Sequence, residues 1–359
     1  VIGNEAADCD SLVSAYAAAA LLESGEVQAI ALAQIPREEF RLRGDALAVF
    51  RKAGSSVVAD GSPARMYFWD EVDWSAVAGL EKRSLVLTDH NKMTEKVAQH
   101  FEGRVEWVID HHANTNSYPG VRMELDEELG SACTLLAEQF LARNERVPQE
   151  IGVLLAGVII LDTRNMNVKE KKCTERDGFA LKGLSSFLPE SGTGEWYSEL
   201  VEARKSIAHL TTRELFLLDL KADTDAGTGL TVAFSSIFLT LPELVEKAGG
   251  PGGVLEAAQT FAKERNYDAV VAMCAKGKDG NKQVALMPGR AEGSEGPALC
   301  GDIAARLAGA PKTMPEALRE NPLFEKQGIL EHGFGLAPLE EFRPLVAFSI
   351  SGVITRKTL

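Results

Sequence analysis

The sequence predicts an α/β protein of two domains, and three observations carry that reading. In the first half, short β-rich runs alternate with helical patterns, the signature of a parallel sheet covered by helices. Around residues 183–196 the alternation breaks into a stretch rich in Gly, Ser and Pro, which reads as a linker. Beyond it the pattern changes to a mixed order of strands and helices that includes a hairpin. The 359 residues are enough for two separate cores. The expected domains are 1–190, built on a parallel sheet, and 197–359, smaller and built on a mixed sheet.

In chain order, strands are expected at 1–2, 27–32, 66–69, 84–88 and 105–109. Helices are expected at 11–22, 131–143 and 149–161. Gly130 precedes the second of these, and Pro148 stands where a first helical turn tolerates it. Two strands run straight into polar residues, Thr88 into Asp89-His90-Asn91 and Ile109 into Asp110-His111-His112. In open α/β sheets, ligands bind beyond the carboxyl ends of the strands. The second half predicts a helix at 196–217, a strand at 230–235 and a helix at 254–263. A hairpin of 269–275 and 283–287, a helix at 299–307 and a closing strand at 344–350 complete it. The run Gly249-Gly250-Pro251-Gly252-Gly253 reads as a loop before a helix. The sequence shows no internal repeat and no low-complexity tract.

Charge narrows the function classes. The net charge is −14, with an isoelectric point near 5.0. A general nucleic-acid or membrane-surface binder draws its affinity from surplus Lys and Arg, so both classes are excluded. A phosphate substrate is not excluded, because a small site needs only local positive charge or a metal. Residues 1–195 carry 31 acidic and 20 basic side chains, and the remainder 21 and 18, so the first half is the acidic one. The five cysteines, Cys9, Cys133, Cys173, Cys274 and Cys300, are widely spaced with no CxxC pair. That fits a reducing compartment and gives no zinc-site spacing. The Ala/Leu-rich run 12–22 follows Asp8 and Asp10, lacks a basic flank and is too short to span a bilayer, so a buried helix is expected. The opening Val1-Ile2-Gly3 reads as a truncated strand with a few residues preceding it.

Four clusters hold carboxylates and imidazoles at the ends of apolar runs. They are Asn4-Glu5-Ala6-Ala7-Asp8-Cys9-Asp10-Ser11, Asp89-His90-Asn91, Asp110-His111-His112 and Asp162-Thr163. Taken alone, a DxD on a loop is more often a helix cap than a metal site. Three of the six histidines, however, fall inside these clusters. Mixed Asp and His donors without Cys suit Mg²⁺, Mn²⁺ or Co²⁺ better than structural zinc.

On these four motifs the chain resembles the DHH phosphoesterase superfamily. The matching residues are Asn4…Asp8-x-Asp10, Asp89-His90-Asn91, Asp110-His111-His112 and Asp162. In the second half, Asp219-Leu220-Lys221 and Thr355-Arg356-Lys357 resemble phosphate-binding segments of the second-type DHH-associated domain. That domain is shared by eukaryotic exopolyphosphatases, prune-like proteins and family II inorganic pyrophosphatases. The DHN form of the second motif and the opening GNExxDxDS are most similar to exopolyphosphatases of the yeast type.

The resemblance implies a metal-binding catalytic domain followed by a substrate-binding domain, with the active site in the cleft between them. It implies a two-metal site in which Asp89 bridges both ions. Asp8 would bind the first ion; Asp10, His111 and Asp162 would bind the second. Asn4 departs from the pattern, since family II pyrophosphatases carry a metal-binding His there. A neutral amide is a poor ligand, which favours an exopolyphosphatase and a site tolerant of Mg²⁺. Asp110 and His90 are expected to support the ligands from behind. His112 is expected to contact the phosphate and donate a proton to the leaving oxygen, with Asp89 and Asp10 as the other catalytic residues. Lys221, Arg356 and Lys357 would grip the terminal phosphates, and Gly352 would let backbone approach them. Two further basic sets, Lys169, Lys171, Lys172 and Arg176, and Lys276, Lys278, Lys282 and Arg290, are candidates for tracking a longer chain.

The expected activity is metal-dependent release of orthophosphate from inorganic polyphosphate or another short phosphate chain. A monomer is expected, without nucleic-acid or membrane partners. Cytosol is the expected location, with polyphosphate-storing organelles as the alternative that relatives suggest. The competing readings are an inorganic pyrophosphatase, a prune-like cyclic-nucleotide phosphodiesterase and an inactive phosphate-binding regulatory protein. A RecJ-like nuclease would carry a different second domain, with a glycine-rich motif ending in His that is absent here.

Overall fold

The computed structural model describes residues 1–58, 66–143, 145–170, 172–224, 229–278, 280–289, 335–338 and 346–351. These form two compact units, Val1–Ser206 and Ile207–Leu359. In the first unit the order is α1 (Cys9–Leu22), β1 (Ala31–Ala33), α2 (Gly44–Lys52), β2 (Met66–Phe68), α3 (Trp74–Gly79) and β3 (Leu85–Thr88). There follow α4 (Glu95–Phe101), β4 (Val105–Asp110), β5 (Arg122–Leu125), α5 (Ala132–Ala142), α6 (Gln149–Asp162), α7 (Glu175–Gly183) and α8 (Thr193–Lys205). Every strand pairing in this unit is parallel: β1 with β2, and β3 with β4 with β5. Ile2 links the two groups through parallel bridges to Leu32 and Leu87.

Period-two alternation sends side chains to both faces of this sheet. Val86, Trp107 and Ile109 enter one apolar cluster with α1, α5 and α6, while Leu85, Leu87 and Val108 enter another with Val97 and Phe101 of α4. α1 and α6 are apolar on nearly every side and are buried accordingly. Of the expected strands, 66–69 and 84–88 are shortened to 66–68 and 85–88 and 105–109 extends to 105–110, whereas 27–32 is displaced to 31–33 and 1–2 is reduced to the isolated bridges of Ile2. β5, at Arg122–Leu125, is a short strand not expected from the sequence, although Val121-Arg-Met-Glu-Leu alternates apolar and polar residues and Val121 and Met123 pack against the apolar cluster.

The first compact unit runs on past the expected linker: α8 belongs to it, and it ends at Ser206. The reason is packing. Trp196 and Leu200 are buried in the first core, and a Cβ on Gly157 of α6 would stand 2.9 Å from the Trp196 ring. The expected 196–217 helix accordingly breaks after Lys205.

The second unit contains α9 (Thr212–Leu215), β6 (Leu220–Thr224), β7 (Thr231–Ser236), α10 (Leu241–Lys247), α11 (Pro251–Arg265), β8 (Ala269–Lys276), β9 (Lys282–Pro288), β10 (Gly335–Pro338) and β11 (Val346–Ser351). Its sheet runs β10-β11-β9-β8-β7-β6, parallel only between β7 and β8, and β8–β9 is the expected hairpin. The glycine-rich run is not all loop. α11 begins at Pro251, and Gly253 sits in its first turn, where a Cβ would stand 2.0 Å from the Ala248 carbonyl oxygen. The helix expected at 299–307 lies outside the described residues. Among the described residues, no helix is long and apolar enough to cross a membrane.

Candidate metal centre

Three parallel segments deliver the motifs to one end of the first unit's sheet. Ile2 leads to Asn4, β3 to Asp89, and β4 ends on Asp110 with His111 and His112 just beyond. Asp89 adopts a left-handed conformation, φ 59°, uncommon outside Gly and Asn, and its N–H donates to the Ile109 carbonyl. The residue is 2% exposed.

Around Asp89 the donors are unevenly divided. Oδ2 accepts from Asn4 Nδ2 at 2.8 Å. Oδ1, fully buried, accepts no hydrogen bond. It stands 3.2 Å from His111 Nε2 and 3.6 Å from His112 Nδ1. The first is not a hydrogen bond despite its length, and the second is too long for one. His111 Nε2 also lies 3.5 Å from Asp10 Oδ2. Asp89, His111 and His112 each offer one donor atom within 4.8 Å of the others.

The surrounding residues fix these groups. His111 donates from Nδ1 to the Leu129 carbonyl at 3.0 Å, which leaves Nε2 as its ligating nitrogen. Asp10 sits at the amino end of α5, where Oδ1 accepts from the Ser131 hydroxyl and Cys133 N–H and Oδ2 from Ala132 N–H. Three bonds orient that carboxylate and still leave it acceptor capacity. Asp110, 0% exposed, holds both histidines: Oδ1 accepts from the backbone N–H of His111 and His112 and from His112 Nδ1 at 2.8 Å, and Oδ2 accepts from Asn91. His90 bonds the Thr88 carbonyl through Nδ1.

Protonation follows the same crowding. Burial alone would disfavour a charged His111, but the adjacent carboxylates of Asp89 and Asp10 outweigh it and raise its pKa to about 10. Burial, reinforced by Asp10 and Asp8, pushes Asp89 well above the ordinary carboxylate range. Burial also opposes ionisation of Asp110, yet the His112 hydrogen bond and charge, with Asn91, bring it down to about 2. The cluster thus has surplus negative charge, an orphaned buried carboxylate oxygen and no sulfur donor. That is a donor set for a hard or borderline divalent ion, and the residues fit one.

Other expected ligands sit less centrally. Asp8 caps α1, its Oδ1 accepting from Ser11 N–H at 3.0 Å, while its charge still acts on Asp89. Asp162 ends α6 and faces Arg204 Nη2 at 3.7 Å. Lys221 lies half-buried on the edge strand β6 of the second unit, opposite Phe234. Arg356, Lys357, Gly352, Lys171 and Arg290 lie outside the described residues. Arg176 is not available to track a chain, since it pairs with Glu138 and Asp126.

Two arginines escaped the sequence reading. Arg43, 4% exposed, donates through Nη2 to the Ala6 carbonyl at 2.8 Å and through Nε to those of Ala6 and Ala7. It thereby holds the first-motif loop, in which Ala7 has φ 47°. Arg204 occupies the last turn of α8, where sequence alone reads a basic residue as complementing the helix dipole.

Comparison with known proteins finds relatives of both parts of the chain. The DHH family N-terminal domain matches residues 1–161, and the DHHA2 domain matches 198–314. The rat (Rattus norvegicus) exopolyphosphatase PRUNE1 is 31% identical over 279 residues, 76% of this chain and 58% of that protein. The chain therefore spans less than two thirds of that relative. A probable manganese-dependent inorganic pyrophosphatase of Lactococcus lactis is 26% identical over 214 residues, 59% of this chain and 66% of that one. The crystal structure of a Methanococcus jannaschii protein described as a family II inorganic pyrophosphatase shares the fold. Its TM-score is 0.57 at 19% identity, covering 80% of this chain and 87% of that one. The motif-bearing parallel sheet thus belongs to a DHH family N-terminal domain, and a DHHA2 domain follows it in the chain.

Proposed function

We propose that the chain is a divalent-metal-dependent hydrolase of phosphoanhydride bonds, acting on the terminal bond of inorganic polyphosphate. The observation that carries this reading is Asp89 Oδ1, buried, without a hydrogen-bond donor, and facing His111 and His112. Asp89, Asp10 and His111 hold the ions, with Asp8 and Asp162 completing the set. When bound, the ions neutralise phosphate charge and lower the pKa of the attacking water.

The chain's own residues supply the rest. Asn4 and Arg43 keep Asp89 and the first-motif loop in place. With His112 Nδ1 committed to Asp110, Nε2 is the nitrogen that delivers a proton to the leaving phosphate oxygen. The ring is 30% exposed, which leaves it accessible to substrate. Lys221, with Arg356 and Lys357, binds phosphate oxygens. Asn4 favours polyphosphate over pyrophosphate. It is spent as a brace on Asp89 and on the N–H groups of Ala6 and Ala7, where a pyrophosphatase would want a metal-binding His.

The test is phosphate release from tripolyphosphate, long-chain polyphosphate, pyrophosphate and cyclic AMP, each with Mg²⁺, Mn²⁺, Co²⁺ or EDTA. Metal-dependent release from the polyphosphates is expected, lost in Asp89→Ala. Release from pyrophosphate alone, hydrolysis of cyclic AMP alone, or activity indifferent to EDTA would overturn the reading.

A further inference from the structure

Arg204 stands between two carboxylates from different helices. Its Nε meets Asp45 Oδ2 of α2 at 2.5 Å, and its Nη2 faces Asp162 Oδ1 of α6 at 3.7 Å. Asp45 and Asp162 are 11% and 17% exposed and Arg204 only 30%, so solvent screens these charges weakly. The approach is enforced by backbone. A Cβ on Gly44, the first residue of α2, would stand 2.2 Å from the Ala203 carbonyl oxygen, so α2 and α8 touch beside the pair. Lys52 and Glu199, at 3.4 Å, tie the same two helices further along.

We infer that Arg204 is the counter-cation that sets the divalent-ion affinity of the centre, acting through Asp162 and balanced by Asp45. This rests on the metal reading above. A guanidinium held against a ligand carboxylate competes with the ion for that carboxylate's charge. Asp45 limits the competition by drawing half of the guanidinium's contacts to itself. Burial alone would weaken the charge on Arg204, but Asp45 and Asp162 more than offset it and keep the group cationic. Arg204 is therefore a positioning residue: it touches a ligand, and it lowers the affinity of the site for its ion.

The sign separates this role from simple bracing. Mn²⁺ binding by isothermal titration calorimetry on the full chain is expected to tighten by about tenfold in Arg204→Gln and to weaken by about tenfold in Asp45→Asn. Arg204→Lys keeps the charge and should stay within about threefold of the parent. In an Asp162→Asn background the Arg204→Gln effect should vanish. Weaker or unchanged Mn²⁺ binding in Arg204→Gln would overturn the inference, as would weakening in both single variants. Should Arg204→Gln fail to fold, unchanged or tighter binding in Asp45→Asn overturns it alone. A parent chain that binds no Mn²⁺ at all refutes the metal reading itself, a distinct result.

Discussion

Asn4 Nδ2 donates to Asp89 Oδ2 at 2.8 Å, while the other oxygen of the same carboxylate, Oδ1, has no hydrogen-bond donor. One half of the carboxylate is clamped and the other is left for a cation. The clamp spans 85 residues of sequence and closes the first motif onto the second.

Removing the clamp should loosen the centre without dismantling it. Asn4→Ala is expected to lower kcat on tripolyphosphate and Mn²⁺ affinity by about 10- to 100-fold, as loss of ligand-orienting partners does elsewhere. Asp89→Ala should abolish both. Steady-state phosphate release beside a Mn²⁺ titration distinguishes the two variants.

The proton shared around His111 must leave when an ion arrives. Its folded pKa of about 10 lies above the ordinary value, so in the metal-free chain it contributes stability fully present below about 6.5. That contribution disappears as pH rises through 10. Two outcomes follow: Mn²⁺ binding releases protons at neutral pH, and it tightens as pH rises. Calorimetry in buffers of different ionisation enthalpy measures the release. His111→Gln should abolish the part that belongs to this ring.

Asp110 has the opposite sign. A carboxyl held at about 2 in the fold stabilises it above the unfolded value near about 4, and the gain is lost as pH falls from there through 2. Asp110→Asn should flatten that acid limb in urea unfolding. It should also release His112 Nδ1 and lower kcat on tripolyphosphate.

Gly44 tests the scaffold. Any side chain there meets the Ala203 carbonyl oxygen at 2.2 Å, and a backbone atom cannot swing aside. Gly44→Ala is expected to cost about 2–3 kcal/mol of stability, read from denaturant unfolding. By parting α2 from α8 it should also perturb Mn²⁺ binding.

Much of the centre was legible in the chain. Asp89, Asp110 and His111 follow apolar β runs directly, so their place at the carboxyl ends of strands could be read without coordinates. β5 was missed, because the alternation of Val121-Arg-Met-Glu-Leu is too short to stand out from a loop until it pairs with β4. So was the end of the first unit, since Trp196 is claimed by a cavity over Gly157 that no local pattern announces.

The sequence by itself determined the α/β class, the four motifs and the kind of ion their donors suit. These are local properties, set by residue chemistry and by periodicity within a few turns or strands. Only the tertiary structure decided that Asn4 clamps Asp89 and that Arg43 and Arg204 serve the acidic end of the sheet. Those choices depend on which distant segments become neighbours. The acidic balance of the chain acquires a place by the same route: Asp8, Asp10 and Asp110 gather near the buried oxygen of Asp89, and among the described residues Arg43 is held by carbonyls and Arg204 by carboxylates.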